Sequence, residues 1–205
     1  KAAVAEAGIG HIGFGLLPTG VAVMIVKPDT VNLEILQSFL AGRGQGYSTN
    51  MSSPLTAERG TSRLSPHIAY GTLSLRQIAQ TTLRAKNVAP RGHWHNQLHN
   101  YVTRLWWHCS AMQKLENRPQ MEIQALVPAM EKLSRPMDTE RFEAWRLGRT
   151  GWPLVDACMR LLHHNGWLNF RMRAMLVTTA THTLSLPWRP VADWLSQMVV
   201  DFEPG

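Results

Sequence analysis

The sequence predicts an all-α fold, and three observations lead to that prediction. Apolar residues recur at helical spacing through most of the chain after residue 30. Only one run, over residues 21–26, has the continuous apolar and β-branched composition of a strand. Hydroxyl residues, prolines and glycines stand where helices of ordinary length would begin and end. With 44% hydrophobic and 17% charged residues among 205, the chain has the composition of a globular protein.

The first predicted helices follow from apolar spacing and from capping residues. Apolar residues at helical spacing predict a helix over 31–41, and Gly42 supplies its stop. A polar segment rich in Ser and Gly then predicts a loop over 42–60. Ser65 and Ser74 each place a hydroxyl before a helix-compatible run, so two more helices are expected to begin there.

The second half of the chain is predicted in the same way. A long helical pattern extends over 94–115, whereas prolines interrupt 117–139 and predict a looser segment. Asp156 and Arg160 are spaced for an i,i+4 pair on one helix. Three further helices are predicted: one that Pro153 opens and Gly166 ends, one over 168–184, and one that begins at Pro190.

Charge and cysteine content narrow the possible partners and compartments. Lys and Arg together outnumber Asp and Glu, 21 against 14, which gives a net charge of +7. This excess favours a polyanionic partner such as nucleic acid, although a basic surface without such a partner is an open alternative. Cys109 and Cys158 are the only cysteines. A disulfide framework and a Cys-x-x-Cys site are thereby excluded, and a reducing, cytoplasmic location is expected.

The domain organisation is predicted to be simple. The apolar stretch over 9–26 contains His11, Pro18 and several glycines, so it is interpreted as a segment that does not cross a membrane. Residues 1–30 are left as an unassigned or interdomain segment, and 31–205 are assigned to one domain. Both chain ends are expected to be truncations, and a monomer is expected. His163 and His164 lie at the end of a predicted helix, where a cation near the exposed carbonyls is favourable. No metal site is therefore predicted.

A short loop over residues 60–66 carries the most specific chemistry. Its sequence, Gly-Thr-Ser-Arg-Leu-Ser-Pro, combines small residues, hydroxyls and a cation directly before a predicted helix. Backbone N–H groups, hydroxyl donors and the helix dipole could converge there on a phosphate. An ordinary capping turn is the alternative explanation from the residues alone.

The same string resembles the flavin-phosphate loop of the DNA photolyase and cryptochrome family. Four other features resemble that family in the family's order: Tyr47 before the loop, Gly-Thr-Leu-Ser-Leu-Arg-Gln at 71–77, Trp-Arg-Leu-Gly-Arg-Thr-Gly-Trp-Pro-Leu-Val-Asp-Ala at 145–157, and Gly-Trp-Leu-Asn-Phe-Arg-Met-Arg at 166–173. The resemblance covers about residues 33–205 and implies an incomplete, helical FAD-binding domain.

The resemblance also implies which residues hold the cofactor FAD. In the family, an arginine at the position of Arg173 faces the flavin and pairs with an aspartate, here Asp201. Solvated surface arginines are the alternative for an isolated Arg-x-Arg sequence. The residues expected on the flavin side are Tyr47, Thr61, Ser62, Arg63, Leu64, Ser65, Tyr101, His108, Arg173, Asp201, Phe202 and Glu203.

A second set of residues is expected to face DNA that contains pyrimidine dimers. The set consists of Arg104, Trp107, His108, Phe170 and Arg171. A planar indole such as Trp107 can stack on a flipped-out base, although a double tryptophan in a helix can also be core. The sequence departs from the family pattern here, because His108 and Cys109 replace an arginine and a glutamate. Phe170 likewise replaces an asparagine.

By resemblance, the predicted function is flavin-dependent, light-driven repair of cyclobutane pyrimidine dimers. Reduced FAD would transfer an electron to the dimer, and Trp188 would relay electrons to the flavin or, alternatively, pack beside Pro187. Two rival functions stay open. One is a cryptochrome-like photoreceptor that binds FAD without repair, and the departures at His108 and Cys109 leave it open. The other is a helical nucleic-acid-binding remnant without a cofactor.

Overall fold

The computed structural model describes residues 13–16, 22–25, 30–132 and 135–204. Near the start, strand β1 (Gly13–Leu16) pairs antiparallel with strand β2 (Ala22–Ile25). The predicted strand-like run is therefore confirmed, and β1 is a partner that the apolar pattern did not indicate. The remainder of the segment 1–30, apart from Thr30, lies outside the described residues.

From Thr30 onward the described chain is built from helices, so the predicted helical fold class is confirmed. Two 3-10 turns (Arg43–Gly46 and Pro119–Glu122) and one π-helical turn (Thr179–Thr183) connect them. The helices are α1 (Thr30–Ala41), α2 (Tyr47–Asn50), α3 (Ala57–Gly60), α4 (Ser65–Ala69), α5 (Leu75–Val88), α6 (His93–Asn117), α7 (Pro128–Glu131), α8 (Thr139–Arg146), α9 (Pro153–Asn165), α10 (Phe170–Thr178) and α11 (Trp188–Met198). In the described part of the chain, no helix combines the length and apolar character needed to cross a membrane.

Three predicted boundaries differ from the structure, and one of them is the start of α11, which is Trp188 and not Pro190. The expected loop over 42–60 contains a 3-10 turn and the one-turn helices α2 and α3. The helix expected over 168–184 begins instead at Phe170, because Asn169 has an extended backbone and precedes the first helical turn. Its C-terminal part widens into the π-helical turn. Single turns of this kind depend on tertiary contacts, and hydrophobic periodicity does not report them.

Two hydrophobic clusters form the core, one in each half of the chain. The first lies among α1, α4, α5 and α6 and is centred on Leu36, Phe39, Leu64 and Ile78. The second surrounds Trp145 of α8, which is fully buried. The Trp145 indole Nε1 donates a hydrogen bond to the Leu176 carbonyl oxygen at 3.1 Å, so the buried ring has no unpaired donor.

A seam joins the two halves where the chain between α9 and α10 meets the segment before α5. Trp167 Nε1 donates to Ser65 Oγ at 3.3 Å, and Asn169 Nδ2 donates to the Met51 carbonyl oxygen at 3.1 Å. These contacts link residues more than a hundred positions apart in the chain. They place the loop over 61–65, called loop 61–65 below, directly against the start of α10.

Gly166 closes α9 at this seam and cannot be replaced without strain. Its φ is +66°, and a Cβ atom there would lie 2.5 Å from Val200 Cγ1. We expect Gly166→Ala to lower the free energy of unfolding by about 2 kcal/mol, since left-handed strain and a steric clash add together. Urea unfolding of the intact protein measures this loss.

Gly71→Ala is the matched control for that substitution. Gly71 has the same φ of +66°, but a Cβ atom would meet nothing within 4 Å. The control should therefore lose only the backbone term, about 1 kcal/mol. Equal losses in the two variants would contradict the proposed clash with Val200.

Candidate functional site

Loop 61–65 has the backbone geometry of an anion-binding turn. Arg63 adopts a left-handed conformation with φ of 60°, and Leu64 follows in the right-handed region. Within the described residues, the backbone N–H groups of Ser62, Arg63 and Leu64 have no hydrogen-bond acceptor. Successive free N–H groups around a left-handed residue form a concave donor surface that suits an anion.

The side chains of loop 61–65 divide between supporting and donating roles. Thr61 Oγ1 donates to the Ala57 carbonyl oxygen at 2.7 Å and so anchors the loop to α3. Leu64 is buried in the first cluster. Ser65 Oγ accepts from Trp167 Nε1, which leaves its own hydroxyl proton free to be donated. Ser62 is also buried, beside Tyr101.

The Arg63 guanidinium is buried without a full set of partners. It lies 3.8 Å from the centre of the Trp167 ring, and its Nη1 has no hydrogen-bond acceptor among the described residues. Burial lowers the pKa of Arg63; the carboxylates of Glu58 and Asp201 oppose that shift, and neighbouring arginines reinforce it. A buried cationic donor without an acceptor is costly, and an anion bound at the loop would satisfy it.

Arg173 and Asp201 form an ion pair beside the loop, with one hydrogen bond, from Nη2 to Oδ2. Arg173 Nη1 lies 2.8 Å from Asp201 Oδ1, and Nη2 lies 2.9 Å from Oδ2. Arg173 Nε also donates to the Leu168 carbonyl oxygen at 2.6 Å. The Asp201 side chain is only 4% exposed, so the pair fixes the C-terminal segment against α10.

Three aromatic rings pack against one another beside Ser62 of the loop. The ring centres of Tyr47 and Tyr101 are 5.3 Å apart, and Phe39 packs on both. Burial raises the pKa of Tyr47 to about 12, with Arg104 opposing the shift. Burial likewise raises the pKa of Tyr101, and the Ser62 side chain opposes that shift. Both phenols are therefore neutral near pH 7.

The His108 side chain contacts the C-terminal segment. Its Nε2 lies 2.5 Å from Glu203 Oε2, which connects α6 to the end of the described chain. Phe202, between the two acidic residues of that segment, is exposed. His108 was expected both among the flavin-side residues and among the DNA-side residues. In the structure its side chain contacts Glu203, on the segment that also carries Asp201.

A separate, half-open cleft of about 270 Å³ lies between α2 and α6. The Arg104 guanidinium stacks 4.0 Å from the centre of the Trp107 ring, which is 57% exposed. Arg171 Nε donates to Ser52 Oγ at 2.8 Å, and the neighbouring Phe170 is 74% exposed. The residues that line the cleft are Ser48, Met51, Asn100, Thr103, Arg104 and Trp107.

Trp188 lies outside these two groups of contacts. It opens α11 and is half-buried, with the Arg189 guanidinium 4.4 Å from its ring centre. Arg189 in turn forms an ion pair with Glu131 at 2.9 Å. The structure thus places Trp188 beside the segment 117–139 that was predicted to be loose. Across the described ranges, no cluster of three or more His, Cys, Asp or Glu residues could hold a metal ion.

Two supporting residues had no recognisable sequence signal. Arg43, just after α1, donates to the Thr61 carbonyl oxygen at 2.6 Å. Asn169 is buried and reaches Met51 across the seam. Neither contact follows from spacing, since both depend on how distant segments fold together.

The comparison with protein families shows which family the chain belongs to. The family model described as the FAD binding domain of DNA photolyase matches residues 101–205. This chain belongs to the DNA photolyase and cryptochrome family. The resemblance inferred from the motifs is therefore confirmed, together with the FAD-binding character of the domain.

The chain is similar to photolyases and also to cryptochromes. A deoxyribodipyrimidine photo-lyase of Thermus thermophilus is 35% identical over 81% of this chain and 37% of that protein. A solved class III photolyase from Agrobacterium tumefaciens has a TM-score of 0.78 at 27% identity and covers 86% of this chain and 36% of that one. A solved Synechocystis cryptochrome has a TM-score of 0.79 at 25% identity and covers 94% and 39%. The chain spans about a third of the length of the photolyases it matches.

Proposed function

We propose that this protein binds FAD with its pyrophosphate on loop 61–65 and uses it to split cyclobutane pyrimidine dimers in DNA. The observation that supports the cofactor site is the set of free donors in the loop. Three backbone N–H groups and Arg63 Nη1 have no acceptor in the described part of the chain, and a pyrophosphate would supply several. The residues present therefore fit the phosphate end of FAD.

Around the flavin, each side chain has a distinct role in this proposal. Ser62, Arg63 and Ser65 donate to the pyrophosphate, while Thr61 and Leu64 hold the loop in place. The Arg173–Asp201 pair, with His108 and Glu203, would hold the C-terminal segment at the cofactor site, and Phe202 lies on the same segment. Tyr47 and Tyr101 exclude water from the buried side. When bound and reduced, FAD supplies the light-driven electron transfer to the dimer.

The exposed cleft between α2 and α6 is the proposed DNA side. Trp107 offers a stacking surface for an unstacked pyrimidine, and Arg104 and Arg171 provide charge for phosphates. Phe170 adds a second exposed apolar surface near Arg171. The net charge of +7 supports a polyanionic partner as well.

Trp107→Ala is expected to weaken binding to an oligonucleotide that contains a pyrimidine dimer. Loss of one base–aromatic stack should raise the dissociation constant by about 10- to 100-fold, while FAD retention is unchanged. Fluorescence anisotropy of a labelled oligonucleotide measures the binding.

Trp106→Ala serves as the matched control. Trp106 is the adjacent residue of α6 and is 64% exposed, but it does not line the cleft. Its loss should leave DNA affinity close to that of the wild type. A similar loss of affinity in both variants would contradict the assignment of the cleft.

The intact protein decides between repair and photoreception. It should purify yellow, release FAD on denaturation, and restore an ultraviolet-irradiated oligonucleotide under blue light. Bound FAD without repair would favour the cryptochrome-like function. One observation favours that second candidate: His108 replaces the arginine of the family pattern, and its side chain contacts Glu203. A colourless protein would contradict the proposed FAD site.

A further inference from the structure

Arg43 connects α1 to α3 and to loop 61–65 through four hydrogen bonds. Its Nη1 donates to the carbonyl oxygens of Thr61 at 2.6 Å and Arg59 at 3.0 Å. Its Nη2 donates to the Ile35 carbonyl oxygen at 3.2 Å, and its Nε donates to Ser38 Oγ at 3.0 Å. The guanidinium thus holds two consecutive parts of the chain, the end of α3 and the start of loop 61–65, against α1.

The charge of Arg43 is not neutralised by a carboxylate within the described residues. The side chain is half-buried, and all four of its acceptors are uncharged oxygens. Burial lowers the pKa of Arg43, with Tyr101 opposing the shift, although an arginine stays protonated. Its charge also acts on Arg63 through space. An uncompensated cation behind the loop increases the attraction of the loop for an anion.

The bond to Thr61 also determines where the next amide points. In a trans peptide, the carbonyl oxygen and the following N–H lie on opposite sides of the C–N bond. Because Arg43 holds the Thr61 oxygen, the Ser62 N–H is directed away from Arg43. That N–H is the first of the three free amides of loop 61–65.

We infer that Arg43 is a positioning residue for the FAD pyrophosphate, an inference that rests on the FAD site proposed above. In this role Arg43 would act through the loop backbone and not by contact with the cofactor. It fixes the peptide between Thr61 and Ser62, and with it the start of the row of free amides. Loss of this support lets the loop sample conformations in which its donors do not converge, so the phosphate end of FAD binds more weakly.

The test compares four forms of the intact protein: wild type, Arg43→Ala, Arg43→Lys and Arg59→Ala. Arg59 is exposed and contributes only its backbone oxygen, so Arg59→Ala removes a nearby charge and keeps the hydrogen bonds. The dissociation constant for FAD is measured by fluorescence quenching. Phosphorus-31 spectra of the bound pyrophosphate report its surroundings, and unfolding midpoints of the FAD-free proteins report the fold.

Arg43→Ala should weaken FAD binding by about tenfold or more, because bonds from a charged donor are lost. Arg43→Lys keeps the charge but not the planar fork, so an intermediate loss and shifted phosphorus resonances are expected. Arg59→Ala should change the affinity by about twofold at most, since an exposed charge is screened.

Several results would overturn the inference. The first is a dissociation constant of Arg43→Ala for FAD that lies within about twofold of the wild-type value. The second is a loss of FAD affinity in Arg59→Ala that is as large as the loss in Arg43→Ala. If Arg43→Ala does not fold, Arg43→Lys decides, and unchanged phosphorus resonances with unchanged affinity overturn the role. A wild-type protein that binds no FAD overturns the proposed function itself, which distinguishes the two failures.

Discussion

Arg63→Ala should raise the dissociation constant for FAD by about a hundredfold or more, the largest change expected for a single side chain of the proposed flavin site. Arg63 is the loop cation with a buried and unpartnered donor, so its loss removes both charge and a directed hydrogen bond from the pyrophosphate. The carboxylates of Glu58 and Asp201, which now act on Arg63, would remain and repel the phosphates. Fluorescence titration of the intact FAD-free protein measures the change.

Arg63→Lys is the control for the charge at this position. Lysine keeps the cation but presents a single ammonium group, so part of the affinity should return. The FAD-free variants also need unfolding curves, because Arg63 stacks on Trp167 and its loss removes that packing. An Arg63→Ala protein that stays yellow after gel filtration, with the affinity of the wild type, would contradict the role of the loop.

The sequence predicted those helices whose ends carry local chemical signals. Ser74 caps α5 as expected, since its Oγ accepts from Gln77 N at 3.1 Å. Gly166 ends α9 in the left-handed conformation. Several elements of about four residues were not predicted, because so short a run carries no periodic pattern. Strand β1 and the one-turn helices α2 and α3 are of this kind.

For the site, motif strings located the loop but not its surroundings. The string at 60–66 and the resemblance it carries identified Arg63, Arg173 and Asp201 as one group, and the structure brings these three side chains together. The hydrogen bonds of Arg43 and the stacking of Trp167 had no such signal, since each joins segments that meet only after folding. The partner of His108 was equally hidden, because Glu203 lies 95 residues further along.

Asp156 shows how spacing alone can miss the hydrogen-bond partners of a side chain. Arg160 lies four positions after Asp156, which suggested a helix pair, yet Arg160 Nη1 donates to the Gly148 carbonyl oxygen at 2.9 Å. Asp156 instead organises the turn before α9. Its Oδ1 accepts from the Thr150 N–H at 2.9 Å and from the Thr150 hydroxyl at 2.7 Å, and its Oδ2 accepts from the Gly151 N–H at 2.9 Å.

Asp156→Ala is expected to lower the free energy of unfolding by about 3 kcal/mol at pH 7, because three donors lose a charged acceptor at a buried position. Asp156→Asn has nearly the same size but one oxygen, so it should keep the bonds from Thr150 and lose the one from Gly151. Its loss should be about half as large. Urea unfolding of the intact proteins gives both values.

The pH dependence of that difference tests the charge of Asp156 directly. Burial alone would raise the pKa of Asp156, but hydrogen bonds from Thr150 and Gly151 and the charge of Arg160 outweigh it and lower the pKa. The stabilisation is therefore fully present above the pKa of the unfolded chain, about 4, and is lost as the pH falls through the lower folded value. The stability gap between wild type and Asp156→Asn should stay constant from pH 7 to about 5 and narrow below about pH 4. Other carboxylates titrate alike in both proteins and cancel, so a gap that persists unchanged to about pH 3 would show that the turn is held by shape and not by the ionised carboxylate.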